Sequence, residues 1–399
     1  MTFTHIFSIG AVLVILILPV NLHQPTYEYI DTKATLMAPL DIREFYAFAT
    51  FELSDKTKVR VKTSKYADLA VGQIVKLNGQ LEEPSVSEDF DYKKYLSTFG
   101  ITALMDYPKI EIVGLNNSAK YWLLKNLAVL RQNFEAKINR LLPEPEASFL
   151  AGLLIGSRRA IPESTLDELA RTGTTHIIAV SGANVVIVAS VILILFRYLT
   201  NSTRASFWLA QFVIFSFVVL TGLSAAAVRG GVVSSLTLWA KSSGRPTNIW
   251  GLLFVPAAIM LGLNSFYKFD IGWQLSFAAF TGIILLPDWL EQKTNSFAPA
   301  QILPEIVKKP LLETVAATTF VTPIAIYHFG TFSASAFLAN PLVLWIIPIA
   351  MAVGFCATVI YSAVPFLLIP LRIIATIPLN LILLIIHLVA KIPWTFFEF

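Results

Sequence analysis

TGTTHIIAVSGANVVIV, residues 172–188, is where an amphipathic segment of the chain gives way to a long apolar one. Polar side chains continue into the apolar run, with His176, Ser181 and Asn184 at positions a membrane helix normally fills with Leu or Val. Ser181 and Asn184 are three apart and share a helix face. Gly182 and Ala183 beside them let a second backbone come close. Polar groups at membrane depth cost free energy unless they find partners or face a water-filled cavity. Two readings stand: helix packing through small and hydroxylated residues, or the lining of a polar path.

Composition supports the membrane setting. Of 399 residues 55% are hydrophobic and 14% charged, where a soluble chain carries about a quarter charged residues. The single cysteine, Cys356, lies in an apolar run and is uninformative about redox compartment. Residues 6–20 form an uncharged apolar run without the basic start and small-residue cleavage site of a secretory signal. A retained transmembrane anchor is expected at 5–22.

Residues 27–115 differ from everything after them. Short alternating runs at 29–38, 45–53, 58–63, 73–81 and 109–113 predict strands. Five strands in so short a segment suggest a small barrel of the OB type. Ala47, Ala49, Phe51 and Leu53 alternate against polar and aromatic neighbours, and Val59, Val61 and Thr63 alternate against Lys58, Arg60 and Lys62. If the apolar faces share a core, Tyr46 and Phe48 stand outside with those three cations. Aromatics beside cations can stack single-stranded nucleic acid; the same pattern also suits an ordinary solvated face. From 29 to 114 there are 11 basic and 13 acidic residues, so net charge does not draw nucleic acid to this domain.

Residues 118–142 predict an amphipathic helix, with Leu123, Leu127, Leu130, Phe134, Ile138 and Leu141 on one face. With the short apolar run 147–155 and a proline-initiated helix from Ile161, it suggests interfacial helices over 118–173. Long apolar runs follow near 174–196, 206–222, 224–240, 247–263, 271–290, 311–329, 341–361 and 366–390, with a half-length re-entrant piece at 332–340. Alternate connections carry Arg197 and Arg204, Lys241 and Arg245, Lys293, Lys308 and Lys309, then Arg372; the opposite set carries Lys268 and Lys391. The positive-inside rule makes the first set cytoplasmic and places 27–115 outside.

Three further sites stand out. Arg229 lies in SAAAVRGG, whose small residues repeat at four; it is either an intramembrane functional group or an anchor snorkelling to the interface. Gln274 sits one turn inside a span that begins at Asp270. His328 and Asn340 flank the re-entrant piece. The histidines, His5, His23, His176, His328 and His387, form no clustered metal motif, so no metal, cofactor or catalytic residue is expected.

The succession FDYKKYL, GLLIGSRRAIPESTLDELARTGTTHIIAVSGANV, TGLSAAAVRG, FDIGWQLSFAAFTGI and YHFGTFSASAFLANPL resembles the ComEC-type competence proteins, the inner-membrane channels for DNA uptake. The resemblance runs over roughly 27–390. It departs at Asn184, where the family often has histidine, and it points to a short form without the metallo-β-lactamase-like nuclease domain of many members. It implies a polytopic α-helical membrane protein with an N-terminal extracytoplasmic all-β OB-like domain. The implied parts are the anchor at 5–22, the OB-like domain at 27–115, interfacial helices at 118–173 and the bundle at 174–391.

The implied function is passage of single-stranded DNA across the cytoplasmic membrane during natural transformation, without enzymatic activity. Arg229 would contact phosphates, while His176, Ser181, Asn184, Gln274, His328 and Asn340 would line the DNA path. Tyr46, Phe48, Lys58, Arg60 and Lys62 would form the outer platform. Implied partners are single-stranded DNA, the lipid bilayer, and a separate nuclease, DNA receptor and cytoplasmic motor; a homo-oligomer is left open. The competing classes are a small-solute permease with the OB-like domain as scaffold, and a membrane scaffold that transports nothing.

Overall fold

The computed structural model describes residues 27–85, 91–157, 160–178, 184–185, 187–190, 194, 202–222, 224–294, 305–393 and 396–398. The expected anchor at 5–22 and Ser181 lie outside these residues. Contacts divide the chain into two compact units, one reaching Asn133 and taking in Asn264–Asp270, the other formed by Phe134–Leu263 and Ile271–Phe399.

The first unit is built on alternation. Strand β3 (Ala47–Leu53) buries Ala47, Ala49, Phe51 and Leu53, and β4 (Lys58–Thr63) buries Val59, Val61 and Thr63. Their antiparallel register sets Phe48 opposite Lys62 and Thr50 opposite Arg60, as the shared apolar face requires. Strand β1 (Tyr29–Leu36) pairs antiparallel with β3 and with β5 (Gln73–Gln80). Strand β6 (Ile101–Asp106) pairs parallel with β4. The ring closes where Glu82, just past β5, exchanges both backbone hydrogen bonds with Leu104 of β6 at 2.9 Å. Five strands thus form an OB-like barrel around Leu36, Phe51, Val61, Leu77 and Met105. The short β2 (Asp41–Ile42) pairs antiparallel with β3, and β7 (Lys109–Leu115) pairs antiparallel with β5.

Strand β6 is absent from the strands expected above. Its alternating Ile101, Ala103 and Met105 are buried, but Ala and Met are weak strand formers. A parallel partner also needs a crossover, and helix α1 (Tyr92–Thr98) supplies it. Gly100, at φ 72°, then turns the chain into β6, a backbone conformation glycine adopts freely.

Glu52 ties the barrel to helix α2 (Ala119–Leu141): Lys120 Nζ donates to both carboxylate oxygens at 2.7 Å, and the Tyr121 hydroxyl donates to Oε2. Burial raises the Glu52 carboxyl, but hydrogen bonds from Lys120 and Tyr121 and the charges of Lys120 and Lys58 outweigh it and hold it below its ordinary value of 4.5. A carboxylate depressed on folding stabilises above its unfolded pKa and loses that contribution as pH falls through its folded one. Thermal melts should therefore show Glu52→Gln destabilised at neutral pH, with the gap to the parent closing below about pH 4.5. A gap constant with pH contradicts this linkage.

The second unit is helical. After α2 come α3 (Glu146–Ile155), α4 (Glu163–Arg171), α5 (Thr203–Leu220), α6 (Ala225–Ser242), α7 (Ile249–Leu263), α8 (Ile271–Leu285) and α9 (Pro287–Thr294). Helices α10 (Glu305–Phe329), α11 (Ala336–Val343), α12 (Ile347–Ala363) and α13 (Leu368–Ala390) complete it. Among the described residues, Thr203–Leu220 and Pro365–Ala390 are each long and apolar enough to cross a membrane, and α11 with α12, bent by 47°, forms a third candidate. The expected re-entrant piece at 332–340 is a three-residue strand, β8 (Thr331–Ser333), followed by α11, which runs through Pro341 to Val343. Strand β8 pairs with β9 (Phe396–Glu398), so these two segments lie on one side.

Close backbone approach holds the bundle. A Cβ on Gly231 would sit 2.6 Å from Val218, which puts the predicted small-residue repeat of α6 against α5. Helix α13 is the ruler of this unit. At position 372 the arginine donates to the carbonyls of Leu141 (2.7 Å) and Arg140 (3.2 Å), satisfying groups left open at the end of α2. At position 387 the histidine meets Glu168 of α4 at 2.6 Å. Those two positions are about 22 Å apart along a helix rising about 1.5 Å per residue. The end of α2 and helix α4 therefore meet α13 near its opposite ends.

Candidate functional site

The opening stretch is anchored by a motif far away in sequence. Helix α4 ends at Arg171, whose carbonyl accepts hydrogen bonds from Ser333 Oγ (2.6 Å) and Ser335 Oγ (2.8 Å). Gly173 follows at φ 64°, and a Cβ there would come within 2.8 Å of Ala336. Both the left-handed backbone and the close approach require glycine. Thr172 and Thr174 exchange a hydroxyl hydrogen bond at 2.7 Å, and the chain enters a 3-10 turn, Thr175–Ile177. The segments ARTGTTH and GTFSASA thus pack directly on each other.

On this turn His176 Nδ1 lies 3.1 Å from the Gly173 carbonyl. His176 and Asn184 line one cavity of about 100 Å³ with Ile177, Leu344 and Pro348. Asn184 is buried, and its Nδ2 donates to the Leu153 carbonyl at 2.9 Å. That carbonyl belongs to the last turn of α3, where no backbone donor follows. The amide therefore has a structural role as well as a face on the cavity. Asn340 of α11 is buried, with Oδ1 lacking a hydrogen-bond partner; it lies one turn before Leu344 of the cavity wall.

Arg229, Gln274 and His328 lie on α6, α8 and α10. The Arg229 guanidinium lies 5.8 Å from the Phe277 ring centre on α8. Its Nε is buried with no hydrogen-bond partner, and among the described residues no carboxylate pairs with it. One turn before Phe277, Gln274 Oε1 lies 3.1 Å from His328 Nε2 of α10. The described contacts thus bring His176 and Asn184 to one cavity with Asn340 nearby, pair Gln274 with His328, and set Arg229 against Phe277 of the helix that carries Gln274.

On the barrel, the platform residues come together. Tyr46 and Phe48 meet edge to face with centroids 5.1 Å apart. Arg60 lies over Phe48 at 4.2 Å and Lys62 over Tyr46 at 4.9 Å. The cations already have partners: Arg60 reaches Asp41 at 3.3 Å, Lys62 reaches Asp106 at 3.8 Å, and Lys58 donates to the Phe99 carbonyl at 3.2 Å. Tyr92 of α1 lies within electrostatic reach; burial pushes its hydroxyl up, Arg60 and Arg43 pull it down, and Tyr95 and Tyr46 push it up. The centre of the platform is thus half-covered, with one face of Phe48 occupied by a guanidinium.

Sequence reasoning missed two groups. Glu168 and His387 meet across α4 and α13 and line an open groove of about 740 Å³, with Thr165 and Asn380 as its other polar side chains. Positions so far apart in sequence leave no local signal. Tyr107, in the turn after β6, lies 5.6 Å from Lys62 Nζ. Among the described residues no three His, Cys, Asp or Glu side chains gather to hold a metal ion.

Residues 153–399 match the family model described as Competence protein. The chain is similar to "ComE operon protein 3" of Bacillus subtilis (strain 168), 27% identical over 272 residues, 66% of this chain and 32% of that protein. It is also similar to "Uncharacterized protein YcaI" of Escherichia coli (strain K12), 25% identical over 252 residues, 60% of this chain and 32% of that protein. The matched region thus spans about a third of each relative's length. No solved structure matches.

Proposed function

We propose, on the premise that this chain belongs to the competence protein family, that it is a channel passing single-stranded DNA across the cytoplasmic membrane during natural transformation. The observation that carries the proposal is Arg229, a cation with a buried, unsatisfied Nε set against Phe277 of α8, the helix whose Gln274 pairs with His328 of α10. A polyanion crossing a bilayer needs such a group, fixed in place yet free of a resident carboxylate. His176, Asn184 and Asn340 supply uncharged hydrogen-bonding groups, with Ser181 assigned to the same path from sequence. The outer domain, 27–115, meets the incoming strand through Tyr46, Phe48, Lys58, Arg60 and Lys62. The helices of 118–173 join it to the bundle, 174–391. The chain itself catalyses nothing, and a separate nuclease, DNA receptor and motor prepare and pull the strand.

The orientation follows from loop charge, with 27–115 and the C-terminal end outside. A cysteine at Ser243, between α6 and α7, should be protected from an impermeant thiol reagent in intact cells and react after permeabilisation. Labelling in intact cells inverts the orientation.

DNA engagement is tested with the purified full chain in lipid nanodiscs. Oligothymidylate should bind more tightly than duplex, with affinity falling as salt rises. Lys62→Ala should flatten the log–log salt slope by about 0.7, one phosphate's share for a single strand. No binding at low salt, or a slope unchanged by Lys62→Ala, counts against the platform.

A further inference from the structure

We propose that Tyr107 is the ring on which an incoming base stacks, with Lys62 taking the adjacent phosphate. The inference rests on reading the outer domain as a single-strand binder, and it relocates the contact from the covered rings to an open one. Tyr46 and Phe48 are half-buried and the guanidinium of Arg60 lies on Phe48. Tyr107 is 59% exposed. Lys62 Nζ stands between Tyr46 at 4.9 Å and Tyr107 at 5.6 Å. Its carboxylate partner is Asp106 at 3.8 Å, a loose pair that a phosphate can replace.

The backbone gives the second, independent argument. Tyr107 has φ 45°, in the left-handed region that glycine and asparagine occupy readily and large side chains rarely do. Pro108 follows, which narrows the choices of the residue before it. The surroundings hold the turn in place: Tyr107 N–H donates to the Lys62 carbonyl at 2.9 Å, and Pro108 packs where a Cβ on Gly79 would come within 3.0 Å. For folding alone, asparagine or glycine would serve this position better. A strained residue with an exposed aromatic side chain beside a cation is how binding sites store strain.

The experiment uses the full chain in nanodiscs, a labelled oligothymidylate probe and thermal melts of the same samples. Tyr107→Asn, which accepts the backbone, should weaken binding about tenfold, within what one stacked base contributes, with an unfolding midpoint unchanged or higher. Tyr107→Phe keeps the ring and should bind as the parent does. Asp106→Asn should tighten binding at low salt by freeing Lys62. Parent-like affinity in Tyr107→Asn overturns the proposal while leaving the platform reading intact, and a midpoint that falls together with affinity overturns it by making the residue structural. An unmutated chain that fails to bind the probe removes the platform reading itself.

Discussion

Arg229→Gln is expected to abolish DNA uptake with the protein present in the membrane at its normal level, and Arg229→Lys to retain part of it. On α6 the arginine lies between Val228 and Gly230, in a run of small residues that begins at Ser224. Tight packing of α6 against α5 runs through Gly231 and Val218, and a shortened head group at 229 leaves that contact alone. The guanidinium has the Phe277 ring at 5.8 Å and a buried Nε without a partner. Glutamine removes the charge that a phosphate would meet. Lysine keeps the charge and loses the forked geometry that grips two oxygens. Uptake and membrane level, measured together by labelled-DNA assay and immunoblot, separate the cases. Normal uptake with glutamine makes Arg229 a snorkelling anchor, whereas loss of the protein from the membrane makes it structural.

Gly282→Ala should remove the folded chain from the membrane altogether. A Cβ on Gly282 would come within 2.4 Å of the Ala316 carbonyl oxygen and 3.0 Å of its carbon. Both are backbone atoms of α10, so no side chain can rotate away and the two helices must separate. Overpacking of this kind costs about 1–3 kcal/mol or more, a large share of a typical total of about 5–15 kcal/mol. Separation would also pull apart the Gln274–His328 contact between the same helices. Gly262→Ala is the matched control, since a Cβ there meets nothing within 4 Å and alanine is the better helix former. Fluorescence-detected size exclusion after detergent extraction should show a monodisperse peak for Gly262→Ala and none for Gly282→Ala. A normal peak for Gly282→Ala contradicts the packing described between α8 and α10.

What the sequence made legible depended on how local the signal was. Alternation in 45–53 and 58–63 predicted the faces and register of β3 and β4 because a slip of one residue would expose Phe51 and Val61. The short β6 escaped because its pairing is parallel and depends on a crossover helix. Covering of Phe48 by Arg60 depends on Asp41, in a strand of two residues that no pattern announces. Of the residues proposed for the path, Arg229 is conspicuous because charge is scarce in that stretch. The docking of Ser333 and Ser335 on the Arg171 carbonyl was not, since hydroxyls in an apolar segment look alike whatever they cap. Arg372 shows in the sequence only as a loop charge, and its hydrogen bonds to the end of α2 depend on a contact spanning 231 positions.

The central claim is that this chain carries the strand across the cytoplasmic membrane. It is tested most directly by deleting the gene in a naturally transformable host and measuring labelled DNA that becomes resistant to external nuclease. Surface-bound DNA should persist while protected DNA falls to background, and the wild-type gene restored in trans should bring it back. Protected DNA at parental levels in the deletion strain would contradict the account.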